Sequence, residues 1–381
     1  MKFVRPVVST VGSFSDTVRD VNRFREVAVI LAKYGLGILV SGLDIPGFRA
    51  EKDYSTTPQR VAKALQELGP TFIKFGQILS TRPDIVSPSY IEALQTLQDD
   101  VKPLAFSTLE ASFVEEFGNE WREGFLEIDE TPLATASIAQ VHRATLHDGR
   151  HIVCKVRRPK IAQIIESDLH ILKILLERFL HEFPEMELFD PRGMFNEFQR
   201  SIVAELDFDI ELRNLVRFRK SFFHVEGIVF PEPIEELSTN SILCMEYLDG
   251  IPIRKARERG CDMTVIGERY IDLAYTMLFD HGFFHGDLHP GNILILEDNV
   301  IGVLDCGMVG RLTREMKDQL ATLIFALYRG DNKLIAQIFF DISIKEQRID
   351  YLAFERDAIQ VAEKHWSGGS FADMDIGSFL M

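Results

Sequence analysis

The residues with the plainest chemical content lie in one run, His285-Gly286-Asp287-Leu288-His289-Pro290-Gly291-Asn292. A carboxylate such as Asp287 can accept or orient a hydroxyl proton, and five residues later the amide oxygen of Asn292 can hold a metal beside phosphates. The pattern is H-x-D-L-x-x-x-N, with Gly286 where arginine is usual. Thirteen residues beyond Asn292, Asp305-Cys306-Gly307 closes the apolar run VIGVL. An aspartate there bridges Mg²⁺ to phosphates and a following glycine lets the chain turn sharply; Cys306 stands where phenylalanine is common. Mg²⁺ takes carboxylate and amide oxygens, which suits Asp305 together with Asn292. Upstream, Ile152-Val153-Cys154-Lys155 reads as a buried strand ending in one lysine that would neutralise phosphate charge. That lysine needs an acidic partner, and Glu205, Asp207, Asp209 and Glu211 are the candidates. Glu205 and Glu211 are six residues apart, so on one helix they would serve different cations. Met245-Glu246-Tyr247-Leu248, ahead of Asp249-Gly250, has the composition of a linker whose backbone, from Glu246 to Leu248, would hydrogen-bond an adenine edge.

These residues need elements to hold them. The first hundred or so residues read as helical, with helices over Val18–Val40 (broken by Gly35 and Gly37), Thr57–Leu68 and Pro88–Gln98, the latter two opening on Thr-Pro and Ser-Pro. Near Thr131 the texture changes. LATASIAQVHRATL, Asp148-Gly149 and HIVCKV read as strand, turn and strand. Helices are expected over Pro159–His181 and as one long element over Gly193–Phe223, with short strands at Val225–Phe230 and Ser241–Tyr247. HGDLHPGNILIL, EDN and VIGVLDCG read as loop, strand, turn and strand, and helices resume from Thr313 to about Phe340. The last thirty residues show no periodicity. The layout is α+β: a helical extension over 1–105, a small β-rich lobe over 106–248 and a helical lobe over 249–381, as in a protein-kinase-like two-lobe fold.

Composition narrows the field. The chain has 381 residues, 46% of them hydrophobic, which is enough for a packed core. Forty-two basic against fifty-eight acidic side chains give −16, which excludes a generic nucleic-acid binder. Cys154, Cys244, Cys261 and Cys306 form no C-x-x-C pair, so a reducing, intracellular setting is expected. The longest apolar stretch, Val27–Val40, has fourteen residues and contains Lys33; spanning a bilayer takes about twenty. With Arg23, Arg25 and Lys33 nearby, this stretch suits either an interfacial helix or packing within the extension.

Two further segments bring a resemblance into view. Lys74-Phe75-Gly76-Gln77, in PTFIKFGQILSTRPD, is a K-x-G-Q signature, and Ala134-Thr135-Ala136-Ser137-Ile138-Ala139-Gln140-Val141-His142 is an alanine-rich loop. With E-x-D and H-G-D-x-H-P-G-N in that order, the chain resembles the UbiB (aarF-domain) family of atypical kinase-like proteins from about Gln59 to about Tyr328. The resemblance implies binding of ATP or ADP with Mg²⁺. It implies a phosphate loop over Leu133–Val141 in place of G-x-G-x-x-G, and Lys155 on the phosphates paired with Glu211. It makes Glu205 and Asp207 the E-x-D, Glu205 tethering Lys74, with Lys74 and Gln77 in a regulatory role. It makes Asp287 the catalytic aspartate and Asn292 and Asp305 the metal ligands. The K-x-G-Q helix would lie over the cleft that admits a peptide in protein kinases, favouring ATP hydrolysis or small-molecule phosphoryl transfer over peptide phosphorylation. Members support biosynthesis of isoprenoid quinones such as ubiquinone at membranes. The expected partners are therefore nucleotide, a lipid or quinone precursor and a membrane surface, and the expected location is cytoplasmic and peripheral at the inner-membrane face. Members often end in transmembrane helices, so this chain reads as shortened or as a short form.

Two other classes compete. Aminoglycoside- and choline-kinase-like phosphotransferases share H-G-D-x-H-x-x-N but lack K-x-G-Q and the alanine-rich loop. A nucleotide-binding pseudokinase scaffold for a lipid-biosynthetic complex is disfavoured by the filled Lys155, Asp287, Asn292 and Asp305 positions. Alanines in place of glycines stiffen and crowd a loop whose amides approach phosphate, so nucleotide preference should differ from that of a glycine-rich loop. No A-P-E segment follows Gly307, so activation-loop switching is not expected.

Overall fold

The computed structural model describes residues 14–40, 57–97, 101–342 and 350–365. The fold is mixed α and β and kinase-like, with a helical N-terminal part, and it divides into two compact units. The first holds the described residues up to Lys220 with Phe230–Asp249 and Asp305–Gly307; the second holds Ser221–Val229, Gly250–Leu304 and the described residues from Met308 on.

The first unit opens on α1 (Phe14–Lys33), α2 (Pro58–Leu68), α3 (Pro70–Leu79) and α4 (Pro88–Leu94). Pro58 opens α2 and the Thr57 hydroxyl caps it by accepting from Arg60 N. Gly69 separates α2 from α3 at φ +101°, a conformation that favours glycine. Helix α1 ends at Lys33, and Gly37–Leu39 forms a 3₁₀ turn, so the Val18–Val40 helix is shorter than its apolar stripe. That stripe is consumed by packing. Val27, Ala28, Ile30, Leu31 and Val40 are buried in one core with Leu68 and Phe72. Arg23 and Lys33 bond Asp168 and Glu67. The interfacial-helix expectation for Val27–Val40 is therefore set aside: its apolar face is already covered. Among the described residues no helix is long and apolar enough to cross a membrane. Gln98, the expected end of the Pro88 helix, lies outside the described residues.

Helix α5 (Phe106–Phe117) then leads to β1 (Glu127–Ile128), β2 (Ala134–Thr135), β3 (Ala139–Thr145) and β4 (His151–Arg157), with Asp148-Gly149 in the β3–β4 turn. β3 pairs antiparallel with β1, β2 and β4. Alternation puts Ile152, Cys154 and Val156 of β4 in one core with Leu109, Phe113 and Trp121 on the α5 side, and leaves Lys155 on the opposite face. Helix α6 (Ile161–Glu182) follows. The single helix expected over Gly193–Phe223 is two, α7 (Pro191–Glu205) and α8 (Phe208–Phe222). The chain breaks because Phe208 N donates to Asn240 O and the Asp207 side chain caps Asp209 N at 3.1 Å. Strand β5 (Ile228–Val229) belongs to the second unit, while β6 (Ile242–Glu246) returns to pair antiparallel with β4.

In the second unit β7 (Ile251–Pro252) leads through α9 (Ile253–Ala256) to α10 (Met263–Tyr275) and a π-helical turn at Thr276–His281, which sequence periodicity did not reveal. β8 (Phe283–His285), β9 (Ile293–Ile295), β10 (Ile301–Val303) and β11 (Val309–Arg311) precede α11 (Arg314–Arg329), α12 (Asn332–Ile342) and α13 (Tyr351–His365). The sheet order is β5-β10-β9-β7, and β11 pairs separately with β8. Helix α13 falls where no periodicity was expected.

One buried link fastens the helical part to the strand-bearing part of the first unit. Arg23 Nε donates to Asp168 Oδ1 at 2.7 Å and an Arg23 terminal nitrogen donates to Leu68 O at 2.6 Å. Asp168 is fully buried. Replacing Arg23 with methionine should lower unfolding free energy by about 2–4 kcal/mol, because it strands a buried carboxylate. Asp168→Asn should cost less, and denaturant titration of both variants measures the difference.

Candidate functional site

In the first unit, Lys155 projects from β4 into a pocket of carboxylates. Its Nζ donates to both Glu211 oxygens at 3.0 and 2.8 Å and lies 3.4 Å from Asp305 Oδ2 and 5.3 Å from the Phe208 ring centre. Glu211 stands on the first turn of α8 and is buried, as is most of the Lys155 side chain. The break between α7 and α8 means that Glu205 and Glu211 sit on different helices rather than on two faces of one. Burial alone would discharge Lys155, but the neighbouring Glu211 and Asp305 carboxylates outweigh it and raise its pKa. Burial, joined by Asp305 and opposed by Lys155, pushes the Glu211 carboxyl up to about 7. The bidentate geometry fits an ion pair in which Lys155 stays charged.

Asp305 is held at φ +52°, left-handed backbone that aspartate tolerates. The turn expected at Gly307 is therefore taken at Asp305. A Cβ at Gly307 would lie 3.3 Å from Asp305 Oδ1, so glycine there leaves room beside the carboxylates. Cys306 is buried and its carbonyl accepts from Asn214 Nδ2 at 2.9 Å, which pins the segment through its backbone. Burial, with Glu211 and Asp305 nearby, keeps the Cys306 thiol protonated.

The alanine-rich loop is the tip of the β2–β3 hairpin. Leu133 N donates to Val141 O at 2.8 Å and Ala136 N to Ala139 O at 2.9 Å. Leu133, Ala134 and Ala136 are exposed and Thr135 and Val141 half-buried, whereas Ser137, Ile138, Ala139 and Gln140 are buried. Gln140 exchanges hydrogen bonds with the Leu104 backbone, so its side chain anchors the loop and faces no solvent. A ligand would meet Ile138, Ala139 and Gln140 only through backbone. On the linker, Leu248 is buried, Glu246 is exposed and accepts from Glu232 N, and Tyr247 N donates to His151 O. Lys74 forms an ion pair with Glu205, and Gln77 Nε2 donates to Leu97 O at 3.3 Å. The glycine of K-x-G-Q has a packing reason: a Cβ at Gly76 would lie 2.5 Å from Leu97 and 2.7 Å from Leu65.

In the second unit the loop after β8 is organised by its own groups. His285 Nε2 donates to Leu304 O at 3.2 Å, which leaves Nδ1 to accept from Asp287 N at 3.1 Å. Asn292 Nδ2 donates to Asp287 O at 3.0 Å, so the amide oxygen is the atom turned elsewhere. The Asp287 carboxylate is half-exposed, 3.6 Å from His289 Nε2. A Cβ at Gly286, where arginine is usual, would lie 2.9 Å from Met308 Cγ, so glycine leaves room for Met308 against the loop.

A family model described as the ABC1 atypical kinase-like domain matches residues 96–339, more than half of the chain. The chain belongs to the ABC1 atypical kinase-like family. Within 86% of its length it is 38% identical to a Clostridium pasteurianum protein described as an uncharacterized protein in the hydrogenase 1 5′ region, covering 61% of that protein. It is 37% identical over 295 residues to the probable protein kinase UbiB of Aliivibrio fischeri, covering 75% of this chain and 54% of that one. The chain thus spans little more than half the length of these relatives. Among solved structures, the Rv3197–erythromycin complex from Mycobacterium tuberculosis shares the fold, with TM-score 0.54 and 24% identity over 79% of this chain and 77% of that one. The ABC1 match begins beyond Lys74, so the K-x-G-Q helix lies outside it.

Sequence reasoning missed residues that hold these groups in the ABC1 domain. Arg157, the last residue of β4, and Arg158, just after it, donate to loop carbonyls at Leu206 and Ala136. The unbroken Arg-Arg-Pro after CKV was the available sign. Arg143 bonds the Tyr247 hydroxyl at 2.6 Å and stacks on its ring. Lys155→Met should leave Glu211 buried and unpaired. A buried carboxyl whose folded pKa exceeds its unfolded value destabilises only above the unfolded value. The variant should therefore lose more stability at pH 8 than at pH 5. A double-mutant cycle with Glu211→Gln should return a coupling of about 2–3 kcal/mol by urea unfolding.

Proposed function

We propose that the chain is a Mg²⁺-ATP-dependent atypical kinase-like ATPase or small-molecule kinase. The observation that carries this reading is the buried Lys155 held charged between Glu211 and Asp305, with Asp287 and Asn292 present in the catalytic-loop spacing. Lys155 would take the α- and β-phosphate charge and Glu211 would hold the lysine in place. The exposed part of the alanine-rich loop would meet phosphate through its backbone. The Glu246–Leu248 backbone would bond the base. Asp287 would accept the proton of the attacking hydroxyl or water. Asp305 and Asn292 are oxygen donors of the kind Mg²⁺ takes, and the ion would supply neutralisation of phosphate charge. Lys74, Gln77, Glu205 and Asp207 would regulate access, since the Lys74–Glu205 pair fastens the K-x-G-Q helix to the end of α7.

The name of the UbiB relatives and the K-x-G-Q signature support a role in isoprenoid quinone (ubiquinone) biosynthesis at the cytoplasmic face of a membrane, with a lipid or quinone precursor as the second ligand. Asp287→Asn should lower Mg²⁺-dependent ATP hydrolysis by about 10²–10⁴-fold while leaving nucleotide affinity within about threefold. Nucleotide binding without hydrolysis in the unaltered protein would replace this reading with the scaffold. Ala136→Gly should change the ratio of ATP to ADP affinity by at least about threefold, measured by calorimetry, because position 136 is exposed at the hairpin tip. Ala139→Gly is a poorer probe, since Ala139 is a core methyl.

A further inference from the structure

The strand that carries Lys155 ends on Arg157 and is followed at once by Arg158, and each is spent on the backbone of a neighbouring loop. Arg157 donates to Leu206 O, in the turn between α7 and α8, and to Asn240 O at 3.1 Å. Arg158 is buried. Its N–H donates to Ile138 O at 2.8 Å, its Nε to Ala136 O at 3.1 Å, and a terminal nitrogen to Lys102 O at 3.1 Å. Burial holds its pKa below the usual arginine value. A charged group this enclosed is expensive to keep unless its bonds matter to the fold or the site.

We propose that Arg158 is the positioning residue of the alanine-rich loop, setting the direction of its amides; the inference rests on the reading of that loop as a phosphate site. The argument is geometric. Arg158 lies just past the end of β4, where its own N–H bonds Ile138 O and its side chain reaches Ala136 O and Lys102 O, so one residue closes both the loop and the segment before α5. In a trans peptide the C=O and the next N–H point in opposite directions. Holding Ala136 O with the guanidinium turns the N–H of Ser137, in the same peptide plane, away from Arg158. A glycine-rich loop reaches phosphate by conformational freedom. This alanine-rich loop is instead fixed from behind by a guanidinium, whose planar fork suits convergent carbonyls. The lysine and the loop amides would then share one support, since Lys155 and Arg158 are three residues apart.

The test uses the whole chain with Arg158→Met and Arg158→Lys, read by hydrogen exchange without nucleotide and by calorimetric titration with Mg²⁺-ATP and Mg²⁺-ADP. In Arg158→Met, the Ser137 amide should exchange about tenfold faster or more, and both nucleotides should bind about tenfold more weakly, with a changed ATP-to-ADP ratio. The amides of Ala144 and Ile152, farther along the same strands, should be unaffected. Arg158→Lys, which keeps the charge but loses the fork, should fall between, and it carries the same readouts if the methionine variant does not fold. Ser137 exchange and both affinities within about twofold of the unaltered protein would overturn the proposal. So would exchange raised equally along β3 and β4, which would make Arg158 a residue of the fold alone. Lys155→Met separates the two readings. If it binds nucleotide as well as the unaltered protein, or if the latter binds none, the nucleotide reading fails while the Ser137 exchange still decides the role of Arg158.

Discussion

A lysine buried against two carboxylates is the constraint from which the first unit is built. Lys155 stays charged only because Glu211 and Asp305 offset the loss of water, and Lys155 in turn opposes the burial that pushes the Glu211 carboxyl up. Neither group is stable in place alone, so the strand, the helix start and the Asp305–Gly307 segment must be held to within fractions of an ångström. The structure does this with backbone bonds. Phe208 N goes to Asn240 O, the Asp207 side chain caps α8, Asn214 takes the Cys306 carbonyl and Arg157 takes Leu206 O. Each removes a freedom that would let the pair drift apart.

The helical N-terminal part joins this arrangement through charge and through shape. Arg23 reaches a fully buried Asp168 on α6 and the carbonyl that ends α2, and Lys74 pairs with Glu205 at the end of α7. Between them, Gly76 lets Leu65 and Leu97 close over α3. The K-x-G-Q segment thus combines a cation for a helix-end carboxylate with a glycine required by packing. Its presence beside the E-x-D turn follows from both.

The second unit solves a different problem, which is to shape a short polar loop without burying it. His285 does so by committing one ring nitrogen to Leu304 O and the other to Asp287 N. Asn292 ties back to Asp287 O, and Leu304 N donates to Asn292 O at 2.8 Å. The carboxylate is left half-exposed and the Asn292 amide oxygen is not the atom that bonds Asp287 O, while the backbone N–H groups of Asp287, His289, Gly291 and Asn292 are all bonded within the loop.

The candidate site positions were legible in the amino-acid sequence because they are particular residue types at set spacings. The strand that carries the lysine, the aspartate five residues before an asparagine and the D-x-G after an apolar strand all read directly, and so did the Asp148-Gly149 hairpin and the proline-opened helices, although β4 runs on past Lys155 to Arg157. Local pattern could not show that Glu205 and Glu211 belong to different helices, because the break at Leu206–Asp207 is imposed by Asn240 and Arg157 from distant parts of the chain. Nor could it show that the apolar stripe of α1 is covered, that half of the alanine-rich loop faces the core, or that Arg158 stands behind it. Sequence determined which groups are present and roughly which element carries each. Tertiary structure decided which of them are buried and paired, because the cost of burying a charge is set by neighbours that the chain brings in from far away.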